Sequence, residues 1–169
     1  YLGEATLGVV TDTQDAEGET LETNAVPEIS EAQVRAALAA MLGDQLQVPP
    51  MHSAKKVGGQ KLYDLARKGI EVAREPRAIR LTEFELLSWE SPKINFRVRC
   101  TKGTYVRTLA HDLGRKLGCG AHLAALRRTA SDKFHISQAL TLDQINALSL
   151  PEIEKRLIAP RDAVPSIAL

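Results

Sequence analysis

The sequence predicts an α+β fold, on three observations. Residues 94–100 alternate with a period of two, Phe96, Val98 and Cys100 on one side and Asn95, Arg97 and Arg99 on the other. Residues 104–117 repeat instead at helical spacing, with Val106, Leu109, Ala110, Leu113 and Leu117 along one face. Around these two anchors, strand and helix signals mix without the regular alternation of βαβ units.

Taken in chain order, residues 1–10 read as a strand and "TDTQDAEGE" as an acidic turn. Ser30 with Gln33 fits a capping box that opens a helix running to Met41, with Gly43 closing it. "QVPPMHSAKK" is extended, because consecutive prolines exclude helix. "VGGQ" places a Gly-Gly turn in a hairpin, and "KLYDLARKG" is a short helix stopped by Gly69. Strands follow at 77–89 and 94–100. Thr104 then opens the second strong helix, which ends before Gly118. Arg107, His111 and Arg115 fall at i, i+4 and i+8 along another side of that helix, where His111 reads as a surface residue. "AHLAALRRT" fits either a strand or a helix. Thr141 with Gln144 caps a short helix near 142–148, and "LPEIEKRL" makes one more before Pro160. There is no internal repeat or low-complexity linker.

A chain of 169 residues suggests one domain or a large part of one, and 44% hydrophobic content suffices for a core. Aromatics are only 4%, so Leu, Ile, Val and Ala must fill it. No apolar run is long enough for a membrane span, and no signal peptide is visible. Cys100 and Cys119 are too few for a disulfide framework and lack zinc-ligand spacing, which points to a reducing cytoplasm. The first residue is Tyr, and "YLGEATLGVV" reads like the middle of a strand, as expected of a fragment or processed chain.

The net charge of +1 hides a segregation. Residues 1–54 hold one basic side chain, Arg35, against nine acidic ones, a net of −8. Residues 55–80 hold eight basic and three acidic, or +5, and residues 97–128 hold eight basic and one acidic, or +7. Such asymmetry favours a polyanion bound on one face over charge merely solvated there. Lys102 and Gly103 precede the helix that Thr104 is expected to cap, an arrangement suited to anions. Of Arg127 and Arg128, which follow an apolar stretch, one is expected to point inward toward a carboxylate or phosphate.

Other constellations carry less. Ser53-Ala54-Lys55-Lys56 matches S-x-x-K formally, but that chemistry needs a helix, and two prolines precede it while Gly58-Gly59 follow. Asp12, Asp15 and Glu17 lack the glycine and terminal glutamate of a calcium loop, so a solvated turn is the simpler reading. Histidines 52, 111, 122 and 135 show no metal-binding spacing, and no metal is expected.

Four stretches, "YLGEATLGVVTDTQDAEGE", "QVPPMHSAKKVGGQKLYDLARKGIEVAREPR", "CTKGTYVRTLAHDLGRKLGCGAHLAALRRT" and "LTLDQI", together resemble the TruB family of pseudouridine synthases in order and spacing. The resemblance runs nearly to the closing "IAPRDAVPSIAL". It implies a mixed, mainly antiparallel sheet with flanking helices, here the larger part of a single catalytic domain spanning 1–169. It also implies isomerisation of the T-loop uridine (position 55 of tRNA) to pseudouridine without cofactor or metal, by a monomer. The uracil is detached from C1′–N1, turned, and rejoined through C5. The target base must leave its stack to enter a pocket, while the positive clusters grip T stem-loop phosphates.

Residue by residue, Tyr1 matches the family's active-site tyrosine, which stacks on the flipped base and assists proton removal. Arg127, the first Arg of "LRR", matches the arginine that pairs with the catalytic aspartate and holds it ionised. Arg128 is its solvent-facing neighbour. Lys55, Lys56 and Lys61 belong to the phosphate-gripping cluster, and Lys102 and Arg107 are candidates for local support or phosphate contact. Ile145, on the "TLDQI" helix, walls the uracil pocket.

The chain also departs from the pattern. The family's nucleophilic Asp, in a G-x-L-D-P-like segment, and the His-containing motif before it have no match here. A C-terminal PUA domain is also absent. Position 52 is His where Tyr is common, and Ala125 stands where some members place a base-contacting Tyr. Two functions therefore remain open: a synthase catalytic domain, inactive without its aspartate segment, and a non-catalytic module that binds structured RNA.

Overall fold

A computed structural model describes residues 1–53, 56–57, 59–66 and 69–164, with only the backbone of Lys56, Val57, Gln60 and Lys61. The chain divides into two compact units, 1–127 and 128–169.

The first unit is built on a five-stranded antiparallel sheet. Along the chain run β1 (Leu2–Leu7), β2 (Val9–Thr11), β3 (Thr20–Thr23), helix α1 (Glu31–Ala39), β4 (Gly43–Gln47), β5 (Lys56–Val57), β6 (Gln60–Lys61) and helix α2 (Leu62–Ala66). Then come β7 (Arg77–Glu90), β8 (Lys93–Cys100), helix α3 (Val106–Lys116) and β9 (Ala121–Arg127). The sheet order is β4-β7-β8-β1-β9, and β2-β3 and β5-β6 are separate hairpins.

The two-residue period decides which face is covered. In β8, Ile94, Phe96 and Val98 are buried, whereas Arg97 and Arg99 are exposed. Gly3, Ala5 and Leu7 form the buried row of β1. Against these rows pack Val34 and Leu38 of α1 and Val106, Leu109, Ala110 and Leu113 of α3, in one hydrophobic cluster. Phe96 is fully buried and meets Phe84 edge-on, ring centroids 5.2 Å apart. Burying such a ring contributes about 2–3 kcal/mol. The other face is polar and carries cross-strand ion pairs such as Lys93–Glu4 (3.4 Å) and Arg97–Glu85 (3.3 Å).

Helix α3 lies against β9 because Gly114 permits it. A Cβ there would stand 2.2 Å from the Ala121 nitrogen and 2.3 Å from the Gly120 carbonyl carbon. Gly8 bends the chain with φ +85° between β1 and β2, so the expected single strand over 1–10 is two. The second of these leaves the main sheet to pair with β3.

Other boundaries also shift. The Ser30–Gln33 capping box is present, a feature that stabilises a helix by about 1 kcal/mol. Its helix ends at Ala39, short of Met41, and Gly43 (φ +92°) opens the unexpected edge strand β4 instead of closing the helix. Thr104 does not cap α3; the cap position is Tyr105, whose N–H donates to Gln47 Oε1 (2.8 Å). Thr104 Oγ1 turns back to the Thr101 carbonyl. "AHLAALRRT" resolves as strand β9. The Gly-Gly hairpin forms as β5–β6, and the strands over 77–89 and 94–100 as β7 and β8.

The second unit has a small hairpin, β10 (Ala130–Ser131) with β11 (Phe134–His135), a 3-10 turn over Ile136–Gln138, and helices α4 (Leu142–Asn146), α5 (Leu150–Arg156) and α6 (Pro160–Ala163). Helix α4 starts at the Thr141–Gln144 capping box read from the sequence. Among the described residues, no helix is long and apolar enough to cross a membrane.

Candidate active site

The antiparallel order gathers one end of the sheet from five separate stretches. There β1 and β7 begin while β4, β8 and β9 finish. Leu2 is the register partner of both Arg97 and Arg127. Tyr1 continues the ladder: its nitrogen donates to the Val98 carbonyl (2.8 Å), and the Val98 N–H returns the bond (2.9 Å). Tyr1 and Arg127 thus reach the same sheet end on neighbouring strands. They do not share a face. Tyr1 packs against the hydrophobic cluster, whereas Arg127 stands opposite Leu2 and is exposed.

The expectation that Arg127 or Arg128 points inward is not met, since both are exposed. Burial along β9 stops after Leu123, where a register shift against Glu4/Ala5 interrupts the alternation. Ala125, opposite Glu4, is exposed on this outer stretch as well.

Charge pairing is uneven among the basic residues toward this end, where Arg97 and Arg127 both flank Leu2 and Arg80 lies beside Thr101. Arg80 is held by Asp44 (2.5 Å), and Arg97 by Glu85 and Glu83. Arg77 at the start of β7, Arg99 near the end of β8, Lys102 in the following turn and Arg127 are exposed. None of the four forms an ion pair among the described residues. They extend across β7, β8, β1 and β9, three strand spacings or about 14 Å.

Arg107 is not among these open cations. Its Nη1 donates to Asp15 Oδ2 (2.9 Å) and its Nη2 to the His52 carbonyl. Asp15 is consequently tied into the fold, while Asp12 and Glu17 of the same turn are exposed. Asp15 Oδ1 accepts from Thr13 Oγ1 (2.6 Å) and the Glu17 N–H (3.2 Å), and Gln14 Oε1 accepts from Thr108 Oγ1 (2.7 Å). Burial pushes the Asp15 carboxyl up, but bonds from Thr13, Arg107 and Glu17 and the Arg107 charge outweigh it and leave it below the usual carboxylate range. His52 Nε2 lies 3.5 Å from Asp12 Oδ2. Sequence reasoning missed Gln14, Gln47 and Thr108; a signal was available for Gln47 alone, in Pro49-Pro50, whose missing N–H groups leave side chains to hold that stretch.

His111 is half-buried rather than a surface residue, and its Nδ1 is buried without a partner among the described residues. Lys55 lies outside the described residues. Lys56 and Lys61 are register partners across the β5–β6 hairpin. Ile145 sits on α4 in the second unit, 38% exposed.

The fold itself is shared with chains of two solved complexes. A crystal structure of a Cbf5-Nop10-Gar1 complex matches with a TM-score of 0.56 at 25% identity, over 84% of this chain and 34% of that one. An H/ACA RNP bound to a substrate RNA containing 2′-deoxyuridine matches with a TM-score of 0.55 at 21% identity, over 84% and 31% of the two chains.

Family models define the relationship further. Residues 1–106 match the N-terminal domain of the TruB family pseudouridylate synthases, and residues 107–164 the tRNA pseudouridylate synthase B C-terminal domain. The tRNA pseudouridine synthase B of Opitutus terrae is 64% identical over 99% of this chain and 69% of its own length. Those of Syntrophotalea carbinolica and Burkholderia mallei are 44% and 51% identical, with 54% of each covered. The chain belongs to the TruB family of pseudouridylate synthases. It spans between about half and 69% of the length of these relatives.

Proposed function

We propose that this chain is the larger part of the catalytic domain of a tRNA pseudouridine synthase that isomerises the T-loop uridine at position 55. The observation that supports this reading best is a set of exposed cations (Arg77, Arg99, Lys102 and Arg127) without ion pairs among the described residues, at the sheet end that also carries Tyr1. Cations without protein carboxylates are available to phosphates. Lys55, Lys56 and Lys61 extend the grip.

In the proposed reaction the C1′–N1 bond breaks and a C1′–C5 bond forms, the C5 hydrogen leaves as a proton and N1 gains one. The atoms balance without cofactor or metal. Tyr1 stacks on the extruded base and assists removal of the C5 proton. Arg127 orients an aspartate and keeps it ionised. No Asp of these 169 residues lies in a G-x-L-D-P segment, so that carboxylate is proposed to come from outside this sequence. Ala125 leaves space that a larger side chain would fill. Arg107 is assigned to local support, since its donors are taken by Asp15 and His52.

The same missing segment favours the second reading, a module that binds structured RNA without chemistry. Incubating the complete gene product with unmodified tRNA and mapping pseudouridine separates the two. Modification at position 55 is expected. Tight tRNA binding with no modified uridine would leave only the binding module.

A further inference from the structure

The segment 48–53 leads from the edge of the sheet toward the basic β5–β6 hairpin, and near its tail the Ser53 N–H donates to the Met51 carbonyl (2.8 Å) and the Tyr63 N–H to the Ser53 carbonyl (3.1 Å). Pro49 and Pro50 have no N–H to donate to a ladder. At its head, Gln47 exchanges two hydrogen bonds with the Tyr105 backbone: Tyr105 N–H to Oε1 at 2.8 Å, and Nε2 to the Tyr105 carbonyl at 3.1 Å. At its tail, the His52 carbonyl takes Arg107 Nη2.

The other arm of the same guanidinium reaches a different part of the fold. Asp15 pairs in parallel with Leu123 of β9, the Ala16 N–H donates to the Leu123 carbonyl (3.0 Å), and the Leu123 N–H donates to the Gln14 carbonyl (3.0 Å). The turn carrying Asp15 is therefore sewn to the outer edge of β9, four residues before Arg127. Thr108, next to Arg107 on α3, holds the same turn through Gln14. One planar side chain thus spans two segments that are far apart in sequence.

We infer that Arg107 is a positioning residue, whose two-armed contact with Asp15 and the His52 carbonyl fixes the root of the basic hairpin relative to the strand that carries Arg127. This rests on the proposed function for its consequence, while the clamp itself is testable without activity. A fork is needed for this: lysine keeps the charge but offers one compact head in place of two separated donors.

The test uses the complete enzyme with Arg107→Gln and Arg107→Lys. In the RNA-free Gln variant, amide exchange should rise about tenfold in peptides spanning both 12–18 and 51–53, as loss of a charge-assisted bond at each end implies. Lysine should restore less than half of that protection. Affinity for tRNA should fall about tenfold while the slope of log affinity against log salt stays unchanged, because no phosphate contact is lost. A slope flatter by about one would make Arg107 a direct phosphate ligand and overturn the inference. Unchanged exchange at 51–53 would overturn it as well. If the Gln variant does not fold, the Lys variant carries the same two readouts. A wild-type enzyme that forms no pseudouridine would sink the functional reading and leave the exchange comparison intact.

Discussion

Arg127 finishes β9 with its guanidinium exposed and, among the described residues, no carboxylate beside it. In water such a cation is inexpensive to hold, and it becomes valuable only when a partner carboxylate meets it in a drier site. Its value should then lie in two-point geometry as much as in charge. In the complete enzyme, Arg127→Lys should lower single-turnover rate by about 100-fold, or roughly 2.7 kcal/mol of barrier. Its tRNA affinity should stay within about threefold of wild type, and Arg128→Lys should be nearly silent in both. If Arg128→Lys proved the crippling change, the assignment of the motif would be off by one residue. Gly114 gives a prediction of stability. Because the obstruction to a Cβ is backbone of Gly120 and Ala121, Gly114→Ala should cost about 1–3 kcal/mol, read as a lowered urea midpoint. Motif order named candidate site residues, but the pairing of Arg107 with Asp15 was not legible. Asp15 looked solvated because its cation, Arg107, lies 92 positions away.

At the scale of elements, α3 joins packing to electrostatics. His111 shares the helix with Arg107 but is half-buried. Burial pushes its imidazole below the ordinary value and Arg115 adds to this, while Asp112 and Glu22 oppose. A depressed folded value means that folding favours the neutral ring. That contribution is present above the ordinary histidine value, about 6.5, and is lost as pH falls through the folded value. Asp112 acts in the opposite sense: burial raises it, so its contribution is present at acid pH and lost as pH rises through its folded value. Between pH 7 and about 5.5 the histidine should dominate, so stability falls on acidification and His111→Gln flattens the profile. Identical profiles for the two proteins would exclude this role. The elements themselves were unevenly legible. Strand β8 declares itself because a two-residue period is kept where one face is buried, whereas in β7 register shifts after Leu81 and Leu86 break that period. Strand β4, an edge strand with Leu46 71% exposed, carries no such period. The start of α3 was misplaced because Gln47, 58 residues away, takes the N–H of Tyr105, a bond no local pattern reveals.

Over the whole molecule, the division of charge that the sequence shows becomes a division of labour. Acidic side chains of the first third serve internal pairs, such as Asp15–Arg107 and Asp44–Arg80, while Arg77, Arg99, Lys102 and Arg127 at one sheet end form no ion pair among the described residues. RNA binding should accordingly be strongly salt-dependent. Replacing Lys55, Lys56 and Lys61 by Ala should flatten the slope of log affinity against log salt by about two, and an unchanged slope would remove that cluster from the grip. The chemistry has a sharper signature. Because C5 exchanges its hydrogen for C1′, tRNA tritiated at C5 of its uridines must release label as the new bond forms. With excess complete enzyme in a metal-free buffer, one equivalent of tritium per tRNA is expected from the T-loop uridine in a single turnover. Saturated binding with no release of tritium would contradict the assignment of this chain to uridine isomerisation.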